Sequence, residues 1–253
     1  MPNTHNAVES PPMHVDILAF GPHPDDVELT LGGTLLRLHS LGYRTGIVDL
    51  TAGEMGTRGK RDDRAREAAA AAEILNASVR ETLDLGDSGL VVSAETKRAV
   101  VESIRKHQPK LVFTNYPQNN HPDHTASGTL VAEAAYLAGL SKYEADGEPH
   151  RPNCVLYYLV PHKIAPSFVI DITPFFEGKM RAVRAYASQL HSEEQAGPET
   201  YISQPGFLNR MEAIDRYHGA LIDTDFGEAF YLHEAMKVDD PMQFFDRSFT
   251  RIT

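Results

Sequence analysis

Apolar residues along this chain fall into short dense runs separated by longer segments with a helical period. The first run, Val15-Asp16-Ile17-Leu18-Ala19-Phe20, is nearly continuous, as a parallel strand covered on both faces must be. Val27, Leu31, Leu35 and Leu38 then recur at helical spacing. Within that helix Gly32-Gly33 permits close approach to a sheet, and Gly42 ends it. A second strand is expected from Tyr43 to Leu50, followed by a loop whose Gly53, Gly56 and Gly59 predict mobility. The next helix, capped by Asp62 or Asp63, carries an expected buried stripe of Ala65, Ala68, Ala69, Ala72 and Leu75.

The alternation continues with a short strand near Glu81 to Leu85 and a helix from Ala94 to His107, packed through Val100, Val101 and Ile104. A strand from Lys110 to Asn115 follows, and then a helix from Thr125 with Val131, Ala134, Ala135 and Ala138 inside. Repeated strand–helix units predict a right-handed parallel arrangement. The expected fold is therefore α/β: a Rossmann-like three-layer fold with a mostly parallel sheet flanked by helices. The C-terminal part is less regular. It reads as strands at Cys154 to Val160 and Phe168 to Ile172, helices at 174–189 and 205–222, and a last strand at Ala229 to His233. Residues 1–13 are polar with Pro2, Pro11 and Pro12 and read as a flexible leader, leaving 14–253 as one domain.

Composition narrows the function classes. A chain of 253 residues with 42% hydrophobic content has enough apolar material for a substantial core. Its net charge of -11 argues against a nucleic-acid surface, which needs clustered Lys and Arg. Cys154 is the single cysteine, so no intramolecular disulfide forms, and a buried structural thiol is the expected reading. No apolar run approaches the ~20 residues of a membrane span, and no basic-plus-apolar signal segment opens the chain. The expected location is the cytoplasm.

The chemistry concentrates in two clusters. Gly21-Pro22-His23-Pro24-Asp25-Asp26 follows the first strand, and His121-Pro122-Asp123-His124 follows the strand ending at Asn115. Parallel sheets gather ligands at the C-terminal ends of their strands, so both clusters are expected at one site. His23 and Asp26, three apart in a turn, can hold one ion together with His124. Two imidazoles and a carboxylate, with a position left for water, suit Zn²⁺, and Fe²⁺ accepts the same set. Asp25 beside the ion suits a general base. His121 suits an imidazolium that stabilises an oxyanion or protonates a leaving amine, and Asp123 suits a carboxylate orienting one of the histidines. Arg64 opens the alanine-rich helix beside the glycine loop and is a candidate for substrate contact. Tyr186 and Gln189 read as helix packing, and as substrate contacts if that helix end reaches the site. A non-catalytic Rossmann-type binding module would leave the His/Asp clusters unexplained, and the first turn lacks G-x-G-x-x-G.

His23-Pro24-Asp25-Asp26 together with His121-Pro122-Asp123-His124 resembles the signature of the LmbE/PIG-L family of zinc-dependent N-deacetylases. The resemblance runs from the first strand to beyond residue 190. It implies a Rossmann-like fold, metal ligands at His23, Asp26 and His124, a base at Asp25 and an oxyanion-stabilising histidine at His121. It also implies a substrate-contacting arginine at Arg64 and a homo-oligomer, in some members a hexamer. Asp16 to Gly21, Gly46 to Thr51, Lys110 to Phe113, Ala185-Tyr186 and Ser188-Gln189 are most similar to the bacillithiol-biosynthesis branch, which deacetylates N-acetylglucosaminyl malate. The segment 161–166 is longer than in that branch, so a general N-acetylglucosamine or chitooligosaccharide deacetylase is the alternative. The basic residues Arg58, Lys60, Arg61 and Lys163 are candidates for holding an acidic aglycone.

Overall fold

The structure, a computed structural model, describes residues 14–159, 164–191 and 198–245; the expected leader lies outside them. A seven-stranded sheet runs in the order β3-β2-β1-β4-β5-β7-β6. It comprises β1 (Ile17–Gly21), β2 (Thr45–Asp49), β3 (Val79–Thr82), β4 (Leu111–Asn115), β5 (Cys154–Tyr158), β6 (Phe168–Asp171) and β7 (Gly227–Leu232). The strands from β3 to β5 in that order pair in parallel, while β7 is antiparallel to both β5 and β6. The expected three-layer α/β fold with a mostly parallel sheet is therefore present.

The helices are α1 (Asp26–Ser40), α2 (Arg61–Leu75), α3 (Ala94–His107), α4 (Pro122–Ala138), α5 (Phe176–Arg184), α6 (Phe207–Ala220) and α7 (Pro241–Phe245). Side chains of a strand alternate between faces, and β1 shows how this divides the core. Leu18 and Phe20 pack in the cluster with Val100, Ile104 and Val131 of α3 and α4. Ile17 and Ala19 pack in the cluster with Leu31, Ala68 and Ala182 of α1, α2 and α5. Chain order leaves β1 towards β2 through α1, and returns from β3 to its other side through α3 and β4. The loops after β1 and β4 therefore diverge above the sheet and leave a crevice between them, the usual ligand position of such folds.

Four local expectations change. The buried face of α2 is Arg64, Ala68, Ala71, Ala72 and Leu75, whereas Ala65 and Ala69 are exposed. A run of alanines has no apolar contrast to fix its phase, and the long side chain of Arg64 sets it. The N-cap of α2 is Lys60, with Asp63 three residues in accepting from its amide at 3.0 Å. The α4 helix starts at Pro122 instead of Thr125, with Pro at its first position as helix starts favour, so Asp123 and His124 lie in its first turn. The expected helix at 174–189 is a 3₁₀ turn, Thr173–Phe175, followed by α5, which stops at Arg184.

Helix α1 breaks at Leu31, where φ is −138° and ψ 18°. Beside the break the amides of Gly33 and Thr34 donate to Glu228 of β7 at 3.0 and 2.7 Å. The close approach expected of Gly32-Gly33 is made to Ile172: a Cβ on Gly33 would lie 2.8 Å from that side chain. Glu228 is itself paired with Lys179 of α5 at 2.9 Å, and Lys179 also meets Asp215 of α6 at 2.7 Å. Lys179 is fully buried. A Lys179→Met variant leaves two buried carboxylates without their cation, so urea unfolding should show a loss of about 3–5 kcal/mol. Unchanged stability would mean that Glu228 is held by the α1 amides alone.

Candidate metal-dependent active site

The turn after β1 and the start of α4 bring both clusters together, as their positions at strand ends predicted. His23 Nδ1 lies 3.1 Å from Asp26 Oδ2, and His124 Nε2 lies 3.4 Å from Asp26 Oδ1. The rings of His23, His121 and His124 are mutually 5.0–5.5 Å apart. Donor atoms of His23, Asp26 and His124 lie within 4.8 Å of one another, and so do those of His23, His121 and Asp123.

The electrostatics of this cluster favour a cation. Burial would lower the pKa of His23, but carboxylates of Asp123, Asp26 and Asp87 surround its ring and push it up to about 12. Burial would raise Asp26, yet the neighbouring His124 and His23 hold it well below the usual range. His124 Nδ1 is buried without a hydrogen-bond partner among the described residues. A donor set of two imidazoles and a carboxylate, an orphaned ring nitrogen and a strong demand for positive charge together fit a divalent metal ion.

Asp25 sits in a backbone conformation that L-residues avoid, with φ 124° and ψ −29°. Strain of this kind costs on the order of 1–3 kcal/mol and is kept where the surroundings fix it. Here Arg64 fixes it: its guanidinium donates to the Pro24 carbonyl and lies 3.2 Å from the Asp25 carboxylate. Gly53, at φ +65°, leaves room for that guanidinium, since a Cβ there would meet it at 3.3 Å. Arg64 is thus buried in the site and not on a solvated helix face. Burial pushes Asp25 up to about 7, with Arg64 opposing and Asp26 adding to the rise.

His121 caps α4: the Asp123 amide donates to its Nδ1 at 3.2 Å, which leaves the ring proton on Nε2. Burial, followed by the neighbouring His23 and His124, lowers its pKa. A helix N-terminus also disfavours a cation. The geometry therefore suits a neutral hydrogen-bond donor, in contrast to the expected imidazolium. Asp123 orients neither histidine beside it. Its Oδ2 lies 3.2 Å from His23 Nε2, and its two oxygens accept from the amides of Ser88 and Leu90 at 2.7 and 3.2 Å.

Tyr186 is buried, with its hydroxyl 3.0 Å from Glu28 Oε1 and accepting from Arg80 at 2.9 Å. Arg64 stacks over its ring at 5.9 Å. Gln189 donates to the Arg58 carbonyl at 2.6 Å and so holds the glycine loop. Arg61 is paired with Asp84 at 2.5 Å, and Lys163 lies outside the described residues. Cys154 is half-buried, and burial pushes its thiol up to about 11, so it stays a thiol at neutral pH.

Four charged residues of the site's surroundings had no sequence signal of their own. Arg80 of β3 pairs with Asp49 through two contacts of 2.8 Å and with the fully buried Glu28, a floor of charge beneath the turn after β1. Asp87 lies 3.1 Å from His23 Nε2. Its only trace in the sequence is the turn Gly86-Asp87-Ser88-Gly89 beyond a parallel strand.

The chain is similar in sequence and fold to known proteins. The family described as GlcNAc-PI de-N-acetylase, PIG-L, matches residues 18–135. Diacetylchitobiose deacetylase of Thermococcus kodakarensis is 35% identical over 188 residues, 68% of this chain and 69% of the relative. The probable N-acetyl-alpha-D-glucosaminyl L-malate deacetylase 2 of Bacillus anthracis is 30% identical over 79% of this chain and 92% of its own. A solved structure of a conserved protein from Thermus thermophilus superposes with a TM-score of 0.80 at 36% identity, covering 89% of this chain and 98% of that one.

The raised pKa of Asp25 fixes the sign of a stability effect. The unfolded carboxyl ionises near 3.8, whereas the metal-free fold keeps its proton until about pH 7, so this group lowers stability as pH rises between the two. An Asp25→Asn variant, always neutral, should be more stable than wild type in metal-free protein at pH 8, by on the order of 1–3 kcal/mol. The gain should vanish below pH 4 in chemical unfolding. A pH-independent difference would reject the assignment.

Proposed function

This chain belongs to the PIG-L/LmbE family of deacetylases, and on that premise we propose that it hydrolyses the acetamido group of an N-acetylglucosamine conjugate. The observation that carries the reading is the convergence of His23, Asp26 and His124 from two separate strand ends beside a strained, buried Asp25. A zinc or iron ion held by those three residues would polarise the acetyl carbonyl and lower the pKa of a water.

The remaining chemistry belongs to the protein's own side chains. Asp25, pushed up to about 7, takes the proton from the attacking water and is matched in pKa to the neutral range where a base works best. Arg64 fixes that carboxylate in one direction by its contacts to Asp25 and Pro24. His121, with its proton on Nε2, donates to the oxygen that gains charge as the carbonyl becomes tetrahedral. Asp25, protonated by that step, then delivers the proton to the departing amine, and acetate and the free glucosamine nitrogen result. The expected setting is a cytoplasmic homo-oligomer, and no described helix is long and apolar enough to cross a membrane.

Two conjugates compete as substrate. N-acetylglucosaminyl malate is supported by the stretches similar to the bacillithiol branch and by the relative in Bacillus anthracis. A chitooligosaccharide is supported by the relative in Thermococcus kodakarensis and by the pairing of Arg61 with Asp84, which takes one candidate cation away from an acidic aglycone. Deacetylation rates on the malate conjugate, diacetylchitobiose and free N-acetylglucosamine separate them. A strong preference for malate places the chain in the thiol pathway, and turnover of diacetylchitobiose alone places it with the chitooligosaccharide enzymes. Absence of acetate release from all three would reject the function. Asp25→Asn should keep zinc and lose ~10²–10⁴-fold in turnover. His124→Ala should lose metal in elemental analysis, and full zinc occupancy there would refute its role as a ligand.

A further inference from the structure

The loop between β2 and α2 has no regular structure of its own and is tied down at two places. Its second half is held by the turn that follows α5: Arg58 donates to the Ser188 carbonyl at 3.2 Å, and Gln189 donates back to the Arg58 carbonyl. Its first half is held by Asp87. The Met55 amide donates to Asp87 Oδ2 at 2.8 Å, and the Asp87 amide donates to Glu54 Oε1 at 2.8 Å. The second oxygen of the same carboxylate, Oδ1, lies 3.1 Å from His23 Nε2. One carboxylate therefore spans a loop amide and the imidazole whose other nitrogen faces Asp26. Asp123 Oδ2 approaches the same Nε2 at 3.2 Å, so two carboxylates share one ring N–H.

This arrangement links two motions. Rotation of His23 removes a partner from Asp87 Oδ1, and withdrawal of the loop removes one from Oδ2. We propose that Asp87 is a positioning residue that couples the 53–58 loop to His23, so that ion binding and loop closure favour each other. The proposal rests on the reading of His23 as an ion ligand. It assigns the loop to the metal end of the site as well as to the substrate end, and makes metal affinity sensitive to a segment that touches no ligand. Met55, 66% exposed at this loop, then moves with the state of the ion.

An asparagine at position 87 offers one acceptor oxygen, so it keeps either the imidazole or the Met55 amide and not both. Zinc affinity against a competing chelator, and hydrogen exchange of amides 53–58 with and without zinc, are to be measured in wild type, Asp87→Asn, Glu54→Ala and His23→Ala. Wild type should show slower exchange at Met55 when zinc is bound. Asp87→Asn should bind zinc ~10–100-fold more weakly, the usual effect of losing a carboxylate behind a ligating histidine, and its Met55 exchange should no longer respond to zinc. Glu54→Ala frees the loop without touching His23 and should weaken zinc by a smaller factor. It keeps the test decisive if metal-free Asp87→Asn fails to fold by thermal unfolding. Wild-type zinc affinity in Asp87→Asn means that Asp123 alone holds the ring and overturns the proposal. So does a zinc-responsive Met55 in that variant, or unchanged zinc affinity in Glu54→Ala. Full zinc affinity in His23→Ala overturns the ligand reading itself and is recognised separately.

Discussion

Asp25, Asp26, Asp87 and Asp123 crowd around three imidazoles at the mouth of a parallel sheet, and the rest of the structure accommodates that concentration of negative charge. Carboxylates this close repel one another and are costly to bury unless cations or hydrogen bonds compensate. The protein compensates in graded ways. Asp123 takes two backbone amides, Asp87 takes one, and Asp26 is held between His23 and His124. Asp25 alone depends on a single guanidinium and remains close to neutral pKa. The residue that receives least compensation is the one proposed as the base.

Beneath this layer lies a second set of buried charges. Arg80 joins Asp49 and Glu28, and Tyr186 bridges Glu28 and Arg80 with its hydroxyl while its ring underlies Arg64. The floor of the site is therefore built from β2, β3, α1 and the turn after α5 together, and Arg64 has little freedom to leave Asp25. Such networks are costly to form, but when their members are satisfied they specify one arrangement. A similar device further from the crevice, Lys179 between Glu228 and Asp215, fixes the break in α1. Stability and function pull in opposite directions at the turn itself, where positive φ and a buried carboxyl are both kept.

Much of the site was legible along the chain because its chemistry is local. His23, Asp25 and Asp26 share one turn, and His121, Asp123 and His124 share another. The unbroken apolar runs before each turn identify the strands that deliver them. The parallel order of those strands then predicts that both turns open on the same end of the sheet. The amphipathic helix Ala94–His107 has the bounds its pattern predicts.

What the sequence could not determine depends on partners distant in the chain. The phase of α2 is invisible in an alanine run, and it is set by Arg64 reaching the turn after β1. The break in α1 is marked by a carboxylate almost two hundred residues away. Asp87 and Arg80 look like ordinary polar residues of a turn and an edge strand until the sheet order brings them under His23 and Glu28. The lowered pKa of His121 follows from burial beside His23 and His124, and its place as a helix cap required α4 to begin at Pro122. Residue types and their spacing determined which groups meet at the candidate site. Only tertiary structure decided their charge and direction, because both depend on the dielectric and hydrogen-bond partners that burial assembles from separate segments.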